Sequence, residues 1–304
     1  YSIWKFPLFA LVLVSFLGCK KDIAVSESSS SLTYFQAGNQ LKVQSVEKTK
    51  DGGFIYTGTQ DEDAFLMKVD SKGDMQWYRT YGGPLVDVFY HGIQTNDGGF
   101  IAVGQSNSFG TDSSTGKVSG YAVKTDAMGN VIWESPFKHS TTELSFRSVA
   151  ESLTGGFLMT GIAFYNTLKL NLVSINASGK LIFSRFYTDY SAIPPFNIQR
   201  NYHAIGLSVL QPNNTKIIVG LIMSKSNYVV EVGTMMPSIM ETSTTGNPIN
   251  LYRNDNQSPG NWYYINSMSE KKRNIGLKIL PLSDGYLFAT SFEYPGNTDP
   301  ILIQ

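Results

Sequence analysis

The chain has 304 residues, 24 basic against 24 acidic side chains for a formal net charge of zero, and one cysteine. That balance excludes nucleic acid as a partner, because phosphate binding needs a surplus of Lys and Arg on one face, and a lone cysteine excludes an internal disulfide framework. Charged residues make up only 16%, beside 28 Gly, 17 Tyr and 18 Phe, a balance that favours twisted sheets with many tight turns.

At the N-terminus, Lys5 is followed by the apolar run Phe6–Leu17, interrupted only by Ser15. This is shorter than the roughly 20 residues a membrane-spanning helix needs and suits the core of a signal peptide. The run ends in FLGC, with Cys19 directly after Gly18. The stretch resembles the lipobox of bacterial lipoproteins, although Phe16 and Leu17 are looser than that family's usual Leu and small residue. The resemblance implies a signal peptide over 1–18, acylation of Cys19, and a lipid-anchored protein at the outer membrane of a Gram-negative bacterium, surface-exposed or facing the periplasm. A stray cysteine in an ordinary signal peptide is the alternative. Residues 19–31, with SESSSS, read as a polar tether, and residues 32–304 as the folded domain. Because the chain opens on Tyr1, an initiator Met and further leader residues are expected before it.

The domain is organised by an internal echo. DGGF at 51–54 returns at 97–100, as TGGF at 154–157 and SDGY at 283–286, with a weaker cousin, NNTKIIVG, at 213–220. Asp or Asn followed by Gly is hairpin chemistry, since Gly takes positive φ without steric cost. Each turn feeds an apolar strand: 54–58, 100–104, 157–161, 217–220 and 286–290. A further strand follows each: DAFLMKVD (63–70), GYAVKTD (120–126), LKLNLVSIN (168–176), NYVVEVG (227–233) and DPILIQ (299–304). The first three then pass through a second Gly turn into an aromatic strand, and the fourth does so after a detour as TTGNPINLYRN. Before each hairpin lies one more strand, with a small residue ahead of an aliphatic one at Ser45, Gly92, Ser148, Ala204 and Gly276. That makes five units of four strands, except that the fifth stops at Gln304 before its last strand. LTYFQAG (32–38) stands alone at the other end and resembles MQWYRTYG (75–82). A strand lent by the N-terminus to the C-terminal unit closes a ring and hides its edges.

These residues predict an all-β five-bladed β-propeller closed by an N-terminal strand. The chain also resembles envelope proteins that carry DGG[FY]-apolar-Gly repeats ahead of an aromatic strand. A pair of β-sandwiches or another blade number is the alternative, because of insertions at 188–201, 234–248 and 254–272. The fold hosts many activities and does not itself name one.

Aligning the inner strands on the small residue places Gln44, His91, Arg147, His203 and Ile275 in one column. Facing the axis, its polar members would offer donors to a carboxylate, a phosphate or a sugar hydroxyl; the plainer reading is that they satisfy backbone groups between blades. Four positions earlier stand Gln40, Asp87, Glu143, Gln199 and Lys271, where Asp87 and Glu143 would meet at the channel mouth as the paired carboxylates of a glycoside hydrolase or as solvated loop charges. Aromatic side chains crowd the connections on the same side, among them Tyr90, Tyr202, Trp262 and Tyr263, suited to stacking on sugars or to a protein partner. No zinc, phosphate-loop or serine-hydrolase motif occurs, and no metal or cofactor is expected. DSKGD (70–74) and DAMGN (126–130) are better explained as hairpins than as calcium loops. The reading is a binding module for a glycan or an envelope protein, touching the membrane through its lipid anchor only. Its alternatives are a hydrolase using Asp87 and Glu143, and a structural partner in an outer-membrane complex.

Overall fold

The computed structural model describes residues 41–110, 117–165, 167–187, 203–224, 236–253, 273–281, 286–294 and 297–303. Among them are five antiparallel sheets. The first holds β1 (Lys42–Lys48), β2 (Phe54–Gln60), β3 (Asp63–Val69) and β4 (Met75–Tyr81), and the second β5 (Asp87–Gln94), β6 (Phe100–Ser106), β7 (Ser119–Thr125) and β8 (Val131–Phe137). The third holds β9 (Glu143–Glu151), β10 (Phe157–Tyr165), β11 (Thr167–Ile175) and β12 (Leu181–Tyr187), and the fourth β13 (His203–Leu210), β14 (Lys216–Ser224), β15 (Met236–Ser243) and β16 (Pro248–Arg253). The fifth has three described strands, β17 (Arg273–Pro281), β18 (Tyr286–Tyr294) and β19 (Asn297–Ile303). Every sheet is a simple meander. The inner strand of each packs on the preceding sheet: β5 on β1–β3, β9 on β5–β7, β13 on β9–β11, and β17 on β13 and β14. An ion pair from Lys278 of β17 to Glu47 of β1 brings the last sheet to the first. The ribbon 32–38 lies outside the described residues.

The DGG turns are built twice over from the same parts. Gly52 and Gly98 have positive φ, and a Cβ at the following Gly53 or Gly99 would run into the carbonyl oxygen of Val69 or Thr125. The close approach makes room for a lysine. Lys68 and Lys124, both buried, run beneath the turns to pair with Asp51 at 2.8 Å and Asp97 at 2.9 Å. Neighbouring turns are tied in series: Lys50 Nζ donates to the Thr95 carbonyl, the Asn96 amide to Glu151, and the Leu153 amide to Gln211. All these turns therefore share one end of the molecule, hereafter the turn end. At the opposite, loop end each second strand finishes and each third begins, as do each described fourth strand and the next inner strand.

The second hairpin turn, between third and fourth strands, is also at the turn end. Asp70 and Asp126 close it by accepting amides two and four residues ahead, so these acids serve the turn, as the sequence implied. An aromatic residue of each of the first three outer strands reaches across to the next sheet's turn. Trp77 lies against Gly129, Trp133 against Gly179 and Phe183 against Gly246, and the two indoles donate to the carbonyls of Ala127 and Ala177 at 3.1 and 2.9 Å. The equivalent Gly73 of the first sheet has no described atom within 4 Å of where a Cβ would stand.

The fourth sheet departs from expectation. Its third strand is Met236–Ser243, not NYVVEVG, which lies outside the described residues. The expected insertion 234–248 therefore contains a strand and its turn. Ser243 begins the same turn as Asp70 and Asp126, with the Gly246 amide returning to the Ser243 carbonyl at 2.9 Å. The strand must end there, and Pro237 near its start disguised it as a loop.

The Lys124–Asp97 pair carries a test. Burial pushes the Asp97 carboxyl up, but hydrogen bonds from Thr95, Lys124 and the Gly99 amide outweigh it and hold the pKa at about 2. A carboxylate depressed in the folded state contributes stability above the ordinary carboxyl range and loses it as pH falls toward about 2. Asp97→Asn should flatten the stability–pH curve between about pH 4 and 2 and cost about 1 kcal/mol at neutral pH, small because Asp97 is half exposed. Urea denaturation across that range reads both.

Candidate functional site

Each inner strand carries one β-bulge, a device that re-aims a side chain. The pairing register breaks at Gln44, Tyr90, Arg147, Leu207 and Ile275. The residues just past the bulges are Ser45, His91, Ser148, Ser208 and Gly276. This corrects the column read from the sequence. Gln44 and Arg147 do share a position, but Tyr90 joins them and His91 stands one residue further along. His203 opens β13 opposite Ser224, four residues before its bulge, so the two histidines are not equivalent. The error came from taking Gly92 and Ala204 as counterparts of Ser45. Gly92 is small because Thr57 of the preceding sheet fills the space a Cβ would need, a reason unrelated to the bulge.

The position past the bulge joins one inner strand to the next. His91 Nδ1 accepts the Val149 amide at 3.1 Å, Ser148 Oγ the Val209 amide at 3.3 Å, and Ser208 Oγ the Ile279 amide at 3.2 Å. An acceptor at Nδ1 leaves the ring proton on Nε2. That nitrogen lies 3.2 Å from Glu47 Oε1, and the same oxygen receives Lys278. Burial raises the Glu47 carboxyl, yet the hydrogen bonds from His91 and Lys278 and the charge of Lys278 bring it to about 2. Four sheets thus meet on two residues, Glu47 and His91. Sequence reasoning missed Glu47 and Lys278, although both stand three residues past their bulges with opposite charge in the first and last units.

At the bulges, the Arg147 guanidinium lies 3.6 Å from the centroid of the Tyr90 ring, a cation–π contact. Among the described residues no carboxylate pairs with Arg147. Gln44 is exposed on the neighbouring strand. The bulges thus gather an amide, a ring and a forked cation on three adjacent sheets.

The carboxylates fare differently. Asp87 is fully buried rather than at a channel mouth. Its Oδ2 accepts the Gly83 amide at 2.8 Å and the Ser108 hydroxyl at 2.7 Å, holding the crossing from the first sheet to the second, while Oδ1 is buried with no partner among the described residues. Glu143 is partly exposed at the start of β9 and pairs with Phe164, whereas Asp87 pairs with Ser106. Counted from the bulges, they differ by one position and so point to opposite faces of their sheets. Cys19, Tyr202, Trp262 and Tyr263 lie outside the described residues. Among the described residues, no group of three or more His, Cys, Asp or Glu side chains could hold a metal ion.

No protein-family model matches the chain, and no curated protein matches it. Among solved structures it is similar to an α-L-arabinofuranosidase from Lactobacillus brevis, with a TM-score of 0.48 and 12% identity over 87% of this chain and 91% of that one. It is also similar to a GH43 β-1,3-galactosidase, with a TM-score of 0.45 and 8% identity over 84% of this chain and 54% of that one. A third is an exo-1,5-α-L-arabinanase from a bovine ruminal metagenomic library, with a TM-score of 0.41 and 9% identity over 86% of this chain and 94% of that one.

The inter-strand role of His91 predicts that His91→Ala strips the Val149 amide of its acceptor. A buried amide without a partner costs about 1–3 kcal/mol. Hydrogen exchange at Val149 should therefore accelerate by roughly tenfold or more, with the Val209 amide, held by Ser148, far less affected.

Proposed function

We propose that the protein is a lipid-anchored envelope component whose domain is a five-bladed β-propeller that binds a glycan or another polymer met at the outer membrane. The observation that carries the binding reading is the set of bulge residues Gln44, Tyr90 and Arg147. The five inner strands spend their irregularity at equivalent positions, and three consecutive ones present a polar or planar group there. A guanidinium with no carboxylate partner among the described residues offers forked donors to hydroxyls or an acidic group, and the tyrosine supplies a flat ring. With a net charge of zero, the polymer is one recognised by local contacts rather than by a polyelectrolyte field.

His91 and Glu47 are assigned to holding the inner strands, so replacing His91 is a test of folding rather than of binding. Asp87 supports the crossing between the first two sheets. Hydrolysis through it would require that carboxylate to leave Gly83 and Ser108.

Closure by the ribbon 32–38 fits two features. The outer edge of β19 lacks a described neighbour, and among the described residues no ring covers Gly73 as one covers Gly129, Gly179 and Gly246. In the likeness of LTYFQAG to MQWYRTYG, Tyr34 corresponds to Trp77, the ring type that would lie over Gly73.

Two measurements test these assignments. On a glycan array, the chain from residue 31 onward should give discrete positives. Calorimetry on the best of them should show Tyr90→Ala and Arg147→Ala each weakening binding about tenfold or more, with unfolding temperatures little changed. Binding indifferent to both changes removes the site. Separately, deleting residues 32–38 should lower the unfolding temperature by several degrees and broaden the transition, and Tyr34→Ala should do so in part.

A further inference from the structure

The outer strands carry a second set of bulges. Pairing between third and fourth strands skips Gln76, Ile132, Ile182 and Ile249. In three consecutive sheets the residue turned out of the ladder is therefore isoleucine. Ile132 is 59% exposed and Ile182 58%, and Ile249 is exposed as well. Aliphatic neighbours accompany them: Met128 and Val131 in the second sheet and Leu181 in the third, all exposed. A single exposed aliphatic side chain needs no explanation, but one repeated at the same register position around an arc of the perimeter does. These positions open the outer strands and so lie at the turn end, away from the long connections.

We propose that this arc rests on the bilayer that holds the lipid anchor, with its isoleucines in the boundary between headgroups and acyl chains. The proposal rests on the anchored, closed arrangement put forward above. There the ribbon 32–38 runs antiparallel to β19. Because β19 runs from the loop end to the turn end, that ribbon begins at the turn end, and the chain from Cys19 arrives there. A flexible tether of about a dozen residues has a root-mean-square span of roughly 20 Å, short enough to keep the turn end near the surface. Lys180, exposed beside Leu181, suits anionic headgroups. Strand addition by another chain is disfavoured, since a bulge interrupts the edge ladder in each of these sheets. Shallow burial of several aliphatic side chains would add to the acyl anchor and orient the domain that the anchor tethers.

The test uses the full lipidated chain in vesicles of phosphatidylethanolamine and phosphatidylglycerol, isolated by flotation. A nitroxide is attached at Ile182→Cys or, as a loop-end control, at Ser140→Cys. With vesicles, the ratio of oxygen to nickel-chelate accessibility should rise about threefold or more at position 182 and stay unchanged at 140. Adding Ile132→Lys should return the 182 label toward its aqueous value, with circular dichroism confirming that the variant is folded. A chain that floats while its 182 label stays aqueous overturns the docking and leaves the anchor standing. A chain that fails to float overturns both. Dipolar broadening between 182 labels without lipid contact makes a second copy the occupant and overturns the proposal.

Discussion

The inner strands of this protein are joined by side chains that accept the next strand's backbone amide. Consecutive sheets pack face to face and share no ladder, so an inner strand's edge amides would otherwise face a neighbour that cannot pair with them. His91, Ser148 and Ser208 solve that problem for Val149, Val209 and Ile279. A bulge immediately before each acceptor turns it toward the neighbouring sheet. The register of β9, β13 and β17 is then fixed twice, once by their own hairpins and once by the preceding inner strand.

At the turn end the same economy holds. Glycine beside a carbonyl lets a lysine pass under the turn, and an aspartate above the turn neutralises it. The lysines are buried while the aspartates stay half in water, which limits the desolvation such a pair suffers. The outer aromatics extend the logic sideways, since a ring lies over the next sheet's turn glycine because that glycine has no side chain to obstruct it. Chemistry placed at the bulges is thereby held by elements fixed at both ends.

The ion cluster on the inner strands bears on four of the five sheets. Glu47 collects His91 and Lys278 from two other sheets, and His91 reaches a fourth through Val149. Charges committed to one another in this way are poor ligands for anything else. Arg147, stacked on Tyr90, has no carboxylate partner among the described residues, and so stands apart from that cluster. On β5 and β9 the residue that holds the next inner strand, His91 or Ser148, directly follows the bulge residue, Tyr90 or Arg147.

Much of this was legible in the sequence. The DGG turns, the strands they feed and the aromatic outer strands follow from local chemistry: positive φ at Gly52 and Gly98 and alternation along each strand need no distant partner. The strand Met236–Ser243 was hidden because Pro237 and a run of small polar residues weaken the local signal, whereas pairing with β14 and β16 overrides it. The site was legible only in part. A bulge shifts register by one residue and leaves no mark in composition, so Tyr90 and His91 exchanged places and His203 was set on the wrong level. Asp87 shows the same boundary from the other side. Its type suggested chemistry, yet its burial against Gly83 and Ser108 depends on how two sheets meet. By itself the sequence determined the repeating unit, because that unit is made by neighbours along the chain. Tertiary structure alone decided which polar residues hold the inner strands and which stand at the bulges beside them, because that choice is made by strands more than forty residues apart.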